Sequence, residues 1–380
     1  MTSISREFQI FAKPVSAACN LNCSYCYYSG ESSKNKSSVF ARMDDNLLER
    51  FITQLIEATT GDLVMFSWHG GEPTLAGIEF YKKAVEIQYK NLPSGKRLLN
   101  GIQTNGTLIN EEWCRFLKEE NFLVGISIDG PEELHNRFRF KKNGLGTFSE
   151  VISGYQLLQQ YQINNEILCV VNAINCKYPL EVYRFFKSLN ARYITFLPLV
   201  ERKAGTKTGV TDDTVSPVAF GQFLIRIFDE WVENDIGKVT VQLFEEALRS
   251  AFDNEHTLCI FKENCGGVPV MDSNGDFYSC DHFVNPQHLL GNISERMVSE
   301  FLDCAEQKAF GKAKSLTLPD FCKNCEVLSM CNGECPKNRF IETPDGEAGL
   351  NYLCSGYKLF FKNCLPYVDA VKKAVDQGYG

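Results

Sequence analysis

The distribution of cysteines constrains this chain more than any other sequence feature. The chain has 380 residues and 16 cysteines, whereas a secreted, disulfide-bonded scaffold this rich in cysteine would normally be short. The first seven residues have neither the basic nor the apolar region of an export signal. We therefore expect a cytoplasmic, reducing environment, where clustered cysteines indicate metal binding rather than disulfides.

The clustered cysteines lie near the two ends of the chain. Three fall between residues 19 and 26, and ten lie after residue 255. The other three, Cys114, Cys169 and Cys176, lie in apolar periodic segments. In such segments a free cysteine is most simply a small buried hydrophobic residue, and we predict that for all three.

Charge and hydropathy exclude two classes of partner. The formal net charge of −8 argues against a nucleic acid, because tight binding to a polyanion needs a basic surface. No apolar run approaches the about 20 residues that a membrane span needs. We expect no nucleic acid and no membrane as partners.

From about residue 7 to residue 235, short apolar runs alternate with amphipathic helical patterns. The strands are predicted at 9–13, 63–68, 98–103, 122–128, 166–172 and 193–198. Helix starts are predicted at Asp44 and Asp45, at Asn110, and at a capping box formed by Thr147 and Glu150. Six strand–helix units predict an α/β fold with a curved or closed parallel sheet, short of the eight units of a full barrel.

The chain divides into three predicted segments. Residues 1–235 form the α/β core, residues 236–255 a connecting helix, and residues 256–380 a Cys-rich domain. In parallel sheets the functional groups gather at the carboxyl ends of the strands. Four polar or Gly-rich loops follow strands one to four, starting at Cys19, His69, Thr104 and Asp129, and we expect a shared site there.

The first cysteine cluster is Cys19-x3-Cys23-x2-Cys26. A structural zinc or a fully ligated cluster needs four ligands. Three ligands to a 4Fe–4S cluster would leave one iron open to bind another molecule. A zinc site with a fourth ligand elsewhere remains the alternative.

The second cysteine cluster has eight members in a spaced pattern: Cys259, Cys265, Cys280, Cys322, Cys325, Cys331, Cys335 and Cys354. Eight thiolates suit two 4Fe–4S clusters of four ligands each, two zinc sites, or a mixture. Spacing alone does not separate iron from zinc.

The triplet, with an aromatic residue before its last cysteine, resembles the signature loop of radical S-adenosylmethionine (SAM) enzymes. That resemblance implies a partial (β/α)6 TIM-like barrel, and a SAM-bound 4Fe–4S cluster that generates a 5′-deoxyadenosyl radical. It also implies roles for the matching positions. The loop Gly70, Gly71, Glu72 and Pro73 would hold the methionine amino group, Tyr25 would lie near the adenine, and Ser127, Asp129 and Arg139 would contact SAM.

The later cysteines resemble the SPASM extension of radical enzymes that modify peptides and proteins. This implies two auxiliary 4Fe–4S clusters with interleaved ligands. Cys259, Cys265, Cys280 and Cys335 would hold the first auxiliary cluster, and Cys322, Cys325, Cys331 and Cys354 the second. Cys304 and Cys364 fall outside the pattern and are predicted to be structural thiols.

Most of the chain resembles the anaerobic sulfatase-maturating enzymes, which oxidise a Cys or Ser of a sulfatase to Cα-formylglycine. The matching segments are residues 19–28, 70–77, 103–107, 123–131 and 274–283. The resemblance implies that Asp281 is the catalytic base and that Tyr28 lines the substrate pocket. It further implies an unfolded or extended sulfatase polypeptide as substrate, and a ferredoxin or flavodoxin as electron donor.

Two other hypotheses fit the cysteines. A SPASM peptide maturase would form thioether or carbon–carbon crosslinks in a ribosomal precursor. Many such enzymes carry an added N-terminal peptide-binding domain, and few residues here precede the first predicted strand. A zinc-stabilised binding protein would have no radical chemistry at all.

Overall fold

The computed structural model describes residues 8–29, 42–249, 252 and 254–377. The predicted lack of an export signal concerns residues 1–7, outside that description. The first elements along the chain are β1 Phe11–Ala12, α1 Asp45–Ala58, β2 Leu63–Trp68, α2 Ile78–Asn91, β3 Arg97–Thr104, α3 Glu111–Glu119, β4 Leu123–Ser127, α4 Glu132–Asn136, α5 Phe148–Gln160, β5 Asn165–Val171, α6 Pro179–Ser188, β6 Tyr193–Pro198 and α7 Pro217–Asn234.

The remaining elements are shorter, apart from the last helix. They are β7 Thr240–Val241, α8 Gln242–Arg249, β8 Val270–Met271, β9 Asp276–Tyr278, β10 Leu289–Asn292, α9 Val298–Asp303, α10 Ala305–Leu316, α11 Asp320–Lys323, α12 Leu328–Cys331, β11 Arg339–Glu342, β12 Ala348–Asn351 and α13 Cys354–Asp376. The predicted connecting helix at 236–255 corresponds to β7 and α8, and its residues 250, 251 and 253 lie outside the described part.

The chain forms two compact units whose segments interleave along the sequence. The first comprises Met1–Ser127, where described, with Asn136–Asn165 and Gly266–Gly311. The second comprises Ile128–His135, Glu166–Cys265, where described, and Lys312–Gly380, where described. Within the described residues, no helix is long and apolar enough to cross a membrane.

The first unit carries a sheet in the order β10–β9–β8–β1–β2–β3–β4. Strands β1 to β4 pair in parallel, and β8 pairs in parallel with the free side of β1. Strands β9 and β10 then add antiparallel. A segment from the Cys-rich part of the chain therefore continues the sheet that the first strands begin.

Sequence periodicity determines the helices of this unit. Asp44 accepts a hydrogen bond from the backbone of Leu47 at the start of α1, and Asn110 accepts one from Trp113 at the start of α3, as predicted. The predicted capping box at Thr147 is wrong. The Thr147 hydroxyl donates to the Arg139 carbonyl, while the Asn136 side chain accepts from the first backbone N–H groups of α5.

The second unit carries the parallel strands β5, β6 and β7 and the separate antiparallel pair β11–β12. Helix α13 packs along α7, where Gly221 and Gly356 allow a close approach. A Cβ atom at Gly221 would lie 2.5 Å from the Gly356 carbonyl oxygen. Cys169 and Cys176 in this unit and Cys114 in the first are buried, as predicted.

Candidate active site

The first three cysteines lie on one loop that directly follows β1. The thiols of Cys19, Cys23 and Cys26 are half-buried, and the Cys26 N–H donates to the Cys23 carbonyl at 3.2 Å. Burial raises the pKa of the Cys19 thiol to about 11, and the neighbouring Glu72, Cys23 and Cys26 add to the rise. Three thiols on one short loop supply three donors for a metal centre, which binds each of them as a thiolate.

Side chains from the end of β3 fix the start of this loop. The Asn105 side chain donates to the Asn20 side-chain oxygen at 2.8 Å and approaches the Cys19 sulfur at 3.7 Å. The Asn20 amide donates in turn to the Thr107 hydroxyl at 2.9 Å. The loops after β1 and β3 therefore meet, as expected for carboxyl ends of parallel strands.

The loop after β2 packs against the backbone that leads into Cys19. The Gly71 and Glu72 N–H groups donate to the carbonyls of Ser16 and Ala18 at 2.9 and 2.8 Å. Gly70 has a φ of 111°, which few residues other than glycine adopt, and a Cβ atom at Gly71 would lie 2.1 Å from the Ala18 carbonyl oxygen. Both glycines are therefore required for this close approach.

The Glu72 carboxylate is fully buried and ties three parts of the site together. It accepts hydrogen bonds from the Thr74 backbone and hydroxyl, from the Thr104 hydroxyl and from the Asn105 backbone, at 2.6–3.0 Å. Burial raises the pKa of Glu72, and these four donors oppose the rise. Glu72 therefore fixes the position of the loop after β2. The polar groups of this turn are those of the backbone around Gly70 and Gly71.

A substitution tests the close approach at Gly71. We expect Gly71→Ala to strain the loop by about 1–3 kcal/mol, the usual cost of overpacking. Since 1.4 kcal/mol is a factor of ten in affinity, SAM should bind about tenfold more weakly or worse. Isothermal titration of the anaerobic, iron-loaded protein with SAM measures this.

Gly61→Ala is the matched control, because a Cβ atom at Gly61 would have no neighbour within 4 Å. Equal SAM affinities for the two alanine variants would contradict the role given to Gly71.

The other predicted SAM residues lie in defined surroundings. The Arg139 guanidinium lies over the Tyr25 ring, 5.4 Å from its centroid, so these two predicted contacts are adjacent. The Ser127 hydroxyl accepts from the Gln103 side chain at 3.3 Å. In the second unit, the buried Asp129 carboxylate accepts from the backbone of Val170 at 2.9 Å. Their contacts with SAM remain predictions.

Asp281 lies in a buried polar cluster on the same unit. Its Oδ1 atom is 2.5 Å from the Lys13 ammonium, and both the Tyr27 and Tyr28 hydroxyls lie 2.7 Å from Oδ2. The Lys13 ammonium also lies 4.5 Å from the centroid of the Tyr28 ring. Strand pairing explains this cluster, because β8, which precedes Asp281 in the chain, pairs with β1, which ends one residue before Lys13.

Electrostatics keep the Asp281 carboxyl ionised. Burial alone would raise its pKa, but the Lys13 charge and hydrogen bonds from Lys13, Tyr27 and Tyr28 lower it to about 2. Burial and the adjacent carboxylate raise the pKa of both tyrosines. At neutral pH the cluster therefore contains a carboxylate, an ammonium and two neutral phenols.

Two histidines lie beside this cluster. His69 stacks on Phe11 with ring centroids 3.9 Å apart, and burial lowers its pKa to about 4, so it is neutral near pH 7. The His282 ring contacts Tyr27 edge-on at 6.0 Å. A neutral ring stacked on an aromatic side chain is a packing arrangement, and we assign no chemistry to His69.

The cysteines of the second predicted auxiliary set come together in the second unit. Cys322, Cys325, Cys331 and Cys354 all line one pocket, which is partly open to solvent. The rest of the lining is largely apolar and includes Phe321, Leu328 and Leu350. Four thiols around one space fit the donor set of a 4Fe–4S cluster.

The first predicted auxiliary set is divided between the units. Cys259, Cys265 and Cys335 belong to the second unit, and Cys280 belongs to the first. Burial raises the pKa of the Cys259 thiol to about 11. In the described parts of the chain, no three or more His, Cys, Asp or Glu side chains are grouped so that they could hold a single metal ion.

Sequence reasoning missed Lys13 and Tyr27. Lys13 ends the first apolar run, where functional groups of parallel sheets gather, and that signal could have identified it. Tyr27 stands between two residues that the pattern did select, Cys26 and Tyr28. Its ring is about half exposed while its hydroxyl reaches the buried carboxylate.

Two family models match the chain. The radical SAM superfamily model covers residues 14–176, and an iron–sulfur cluster-binding domain model, SPASM, covers residues 265–326. Both matched segments contain predicted cluster ligands.

Similar proteins cover nearly the whole chain. A serine-type anaerobic sulfatase-maturating enzyme of Bacteroides thetaiotaomicron is 44% identical over 97% of this chain and 92% of its own length. A cysteine-type anaerobic sulfatase-maturating enzyme of Clostridium perfringens is 34% identical over 94% and 96%. The structure of native anSMEcpe with bound S-adenosylmethionine is 33% identical, with a TM-score of 0.88 over 96% of this chain and 99% of that one. The structure of the same enzyme with a bound peptide, Cp18Cys, has a TM-score of 0.87 over 97% and 99%.

Proposed function

Because the chain belongs to the anaerobic sulfatase-maturating enzymes of the radical SAM superfamily, we propose that it oxidises a Ser or Cys of a sulfatase polypeptide to Cα-formylglycine. One observation supports this chemistry beyond membership of the family. The buried Asp281 carboxylate lies within hydrogen-bond distance of the Tyr27 and Tyr28 hydroxyls. A protein of this family needs a base at the residue it oxidises, and this is a carboxylate held ionised.

The cofactors follow from the thiol sets. Cys19, Cys23 and Cys26 would hold the cluster that binds SAM, with the loop from Gly70 to Pro73, Tyr25, Ser127, Asp129 and Arg139 around the SAM. Cys259, Cys265, Cys280 and Cys335, and Cys322, Cys325, Cys331 and Cys354, would hold the two auxiliary clusters. When bound, these groups supply the one-electron chemistry, namely the radical that removes hydrogen from Cβ and the acceptor for the electron left behind.

The residues of this chain handle the proton. Oxidising CH₂OH to CHO removes one hydrogen from Cβ and one from the hydroxyl, and Asp281 would take the second as a proton. A hydroxyl on a carbon that has lost a hydrogen atom is more acidic than an ordinary alcohol, which lowers the basicity required of the carboxylate. Lys13 keeps Asp281 ionised before the reaction.

Tyr28 and Tyr27 would orient the substrate. Their hydroxyls lie 2.8 Å from each other and both reach Oδ2, so a substrate hydroxyl that joins them is held beside the base. Tyr28 would line the substrate pocket, and the half-exposed ring of Tyr27 would face the incoming polypeptide. A ferredoxin or flavodoxin would supply the electrons.

We expect serine to be the preferred substrate residue. The serine-type relatives are 38–44% identical to this chain, and the cysteine-type relatives 31–34%. The test incubates reduced, iron-loaded protein anaerobically with SAM and a sulfatase peptide that carries Ser, and with its Cys counterpart. Loss of ~2 Da (Ser) or ~18 Da (Cys), the mass changes of dehydrogenation and of conversion to the aldehyde, supports the proposal. 5′-Deoxyadenosine with both peptides unchanged would overturn it.

The same samples separate the two alternatives. A crosslinking peptide maturase would modify a precursor peptide and leave the sulfatase peptide intact. A zinc-stabilised binding protein would be colourless, whereas three 4Fe–4S clusters give brown protein with about twelve irons per chain.

A further inference from the structure

Two cations in the second unit take no part in the proposed oxidation. Lys314, at the end of α10, is only 1% exposed, and Arg339 is half-buried at the start of β11. A buried charge is costly unless a charge of opposite sign compensates it. Each of these two cations therefore needs negative charge nearby.

Lys314 holds the turn that carries the first cysteine of this region. Its ammonium donates to the Cys259 carbonyl at 3.1 Å, to the Ile260 carbonyl at 2.7 Å and to the Lys262 carbonyl. Among the described residues, all of its hydrogen bonds go to these neutral carbonyl oxygens. They fix the backbone that leads from Cys259 to Cys265 but do not neutralise the charge.

Arg339 holds the turn between two other cysteines. Between Cys331 and Cys335, three successive residues have left-handed backbone, with φ of 45°, 68° and 51° at Asn332, Gly333 and Glu334. Such a conformation is unfavourable for residues other than glycine and persists only where the surroundings enforce it. The Arg339 guanidinium enforces this backbone conformation, because it donates hydrogen bonds to the carbonyls of all three residues at 2.9–3.3 Å.

The two cations are themselves connected. Arg339 donates to the Lys314 carbonyl at 2.6 Å, so one linked pair contacts both cysteine-bearing turns. The buried Glu334 accepts hydrogen bonds from the side chains of Asn338 and Asn351. One such carboxyl group does not balance two cations. Lys314 contacts the Cys259 carbonyl and Arg339 the Glu334 carbonyl next to Cys335, so both cations lie beside turns whose thiolates would supply the negative charge.

We propose that Lys314 and Arg339 form a positioning pair for the auxiliary iron–sulfur centres, which sets the Cys259 and Cys331–Cys335 turns and compensates the negative charge of the thiolate-ligated clusters. The inference rests on the auxiliary ligand sets proposed above. A 4Fe–4S cluster with four thiolates is an anion, and its reduction potential depends on the charges and hydrogen bonds around it. A fixed positive charge favours the reduced cluster and raises the potential.

Two substitutions separate the hydrogen bonds from the charge. Lys314→Gln keeps donors that reach carbonyl oxygens but removes the charge, and Lys314→Met removes both. Lys312→Met is the matched control, because Lys312 is an exposed lysine on the same helix. All three are made in full-length protein in which Cys19, Cys23 and Cys26 are alanine, so that only auxiliary clusters contribute to the signals.

The readouts are iron per chain after anaerobic reconstitution and the reduction midpoints from EPR-monitored titration. In Lys314→Gln, we expect the parent's iron content and about a tenfold fall in the equilibrium constant for one-electron reduction, a shift of about 59 mV to lower potential. In Lys314→Met, we expect the same shift with loss of up to half of the iron. If Lys314→Met does not fold, the reduction midpoints and iron content of Lys314→Gln alone test the proposal.

Midpoints and iron content equal to those of Lys312→Met in both Lys314 variants would overturn the proposal. A failure of the proposed ligand sets would be recognised separately, because these sets predict about eight irons in the parent protein itself. A parent that holds few irons would overturn the ligand sets before any lysine variant is compared.

Discussion

Replacement of any one of Cys19, Cys23 and Cys26 by alanine should abolish SAM cleavage. The three thiols lie on one loop after β1, and a 4Fe–4S cluster that binds SAM at its fourth iron has no ligand to spare. With two thiolates, the cluster is lost or loses its open iron. The measurement is 5′-deoxyadenosine formed from SAM under dithionite, with or without peptide, and we expect none above background.

Cys114→Ala is the matched control for this prediction. Cys114 is a fully buried thiol on α3 and lies outside all three proposed ligand sets. Its loss should cost packing energy on the order of 1 kcal/mol and leave the iron content and SAM cleavage unchanged. SAM cleavage by a variant of Cys19, Cys23 or Cys26 at the rate of Cys114→Ala would contradict the assignment of the loop.

Local sequence signals predicted most of the α/β core. Strands β2 and β6 have the predicted bounds, and β3, β4 and β5 differ from prediction by one residue at each end. The fold class, a partial (β/α)6 barrel followed by a Cys-rich SPASM domain, is confirmed by the family models and the structural similarity. These features depend on hydrophobic periodicity and short motifs, which are visible directly in the sequence.

Long-range pairing could not be predicted in the same way. The strand β8 has two residues, and no periodic pattern that short indicates a partner 259 positions earlier in the sequence, as in the Phe11–Val270 pair. The position of Lys13 against Asp281 depends on that pairing. The capping box at Thr147 failed for a related reason, because Asn136 and Arg139 supplied tertiary partners that replaced the local ones.

Asp281→Asn should separate SAM cleavage from peptide oxidation. The amide keeps the shape of the carboxylate but cannot take the proton, and a positioned base contributes about 10²- to 10⁴-fold to rate. We expect formylglycine formation to fall by about that factor, while 5′-deoxyadenosine still forms because the thiols of the SAM cluster are untouched. Parallel loss of both products would instead indicate that Asp281 supports the loop of the SAM cluster through its contact with Tyr27, which follows Cys26.

Lys13→Met should lower the stability of the protein more than Asp281→Asn does. Removal of one member of a buried ion pair leaves an uncompensated charge and costs about 3–5 kcal/mol. Lys13 is 3% and Asp281 9% exposed, and their charged atoms are 2.5 Å apart. Urea unfolding of anaerobically purified protein measures the loss. Lys83→Met is the matched control, because Lys83 pairs with Asp45 at 2.6 Å on the surface, where such pairs contribute about 0–1 kcal/mol.

The double variant Lys13→Met/Asp281→Asn decides whether the two residues act as a charge pair. If Lys13 mainly compensates the carboxylate, neutralising Asp281 removes the reason for the penalty, and the double variant should be more stable than Lys13→Met alone. The sum of the two single losses would then exceed the loss in the double variant by about 0.5–3 kcal/mol, the usual range for residues in contact. Additive losses would mean that Lys13 stabilises the fold through its contact with the Tyr28 ring rather than through Asp281. In that case Asp281 would need another source for its low pKa, and the assignment of the base would rest on the Asp281→Asn kinetics alone.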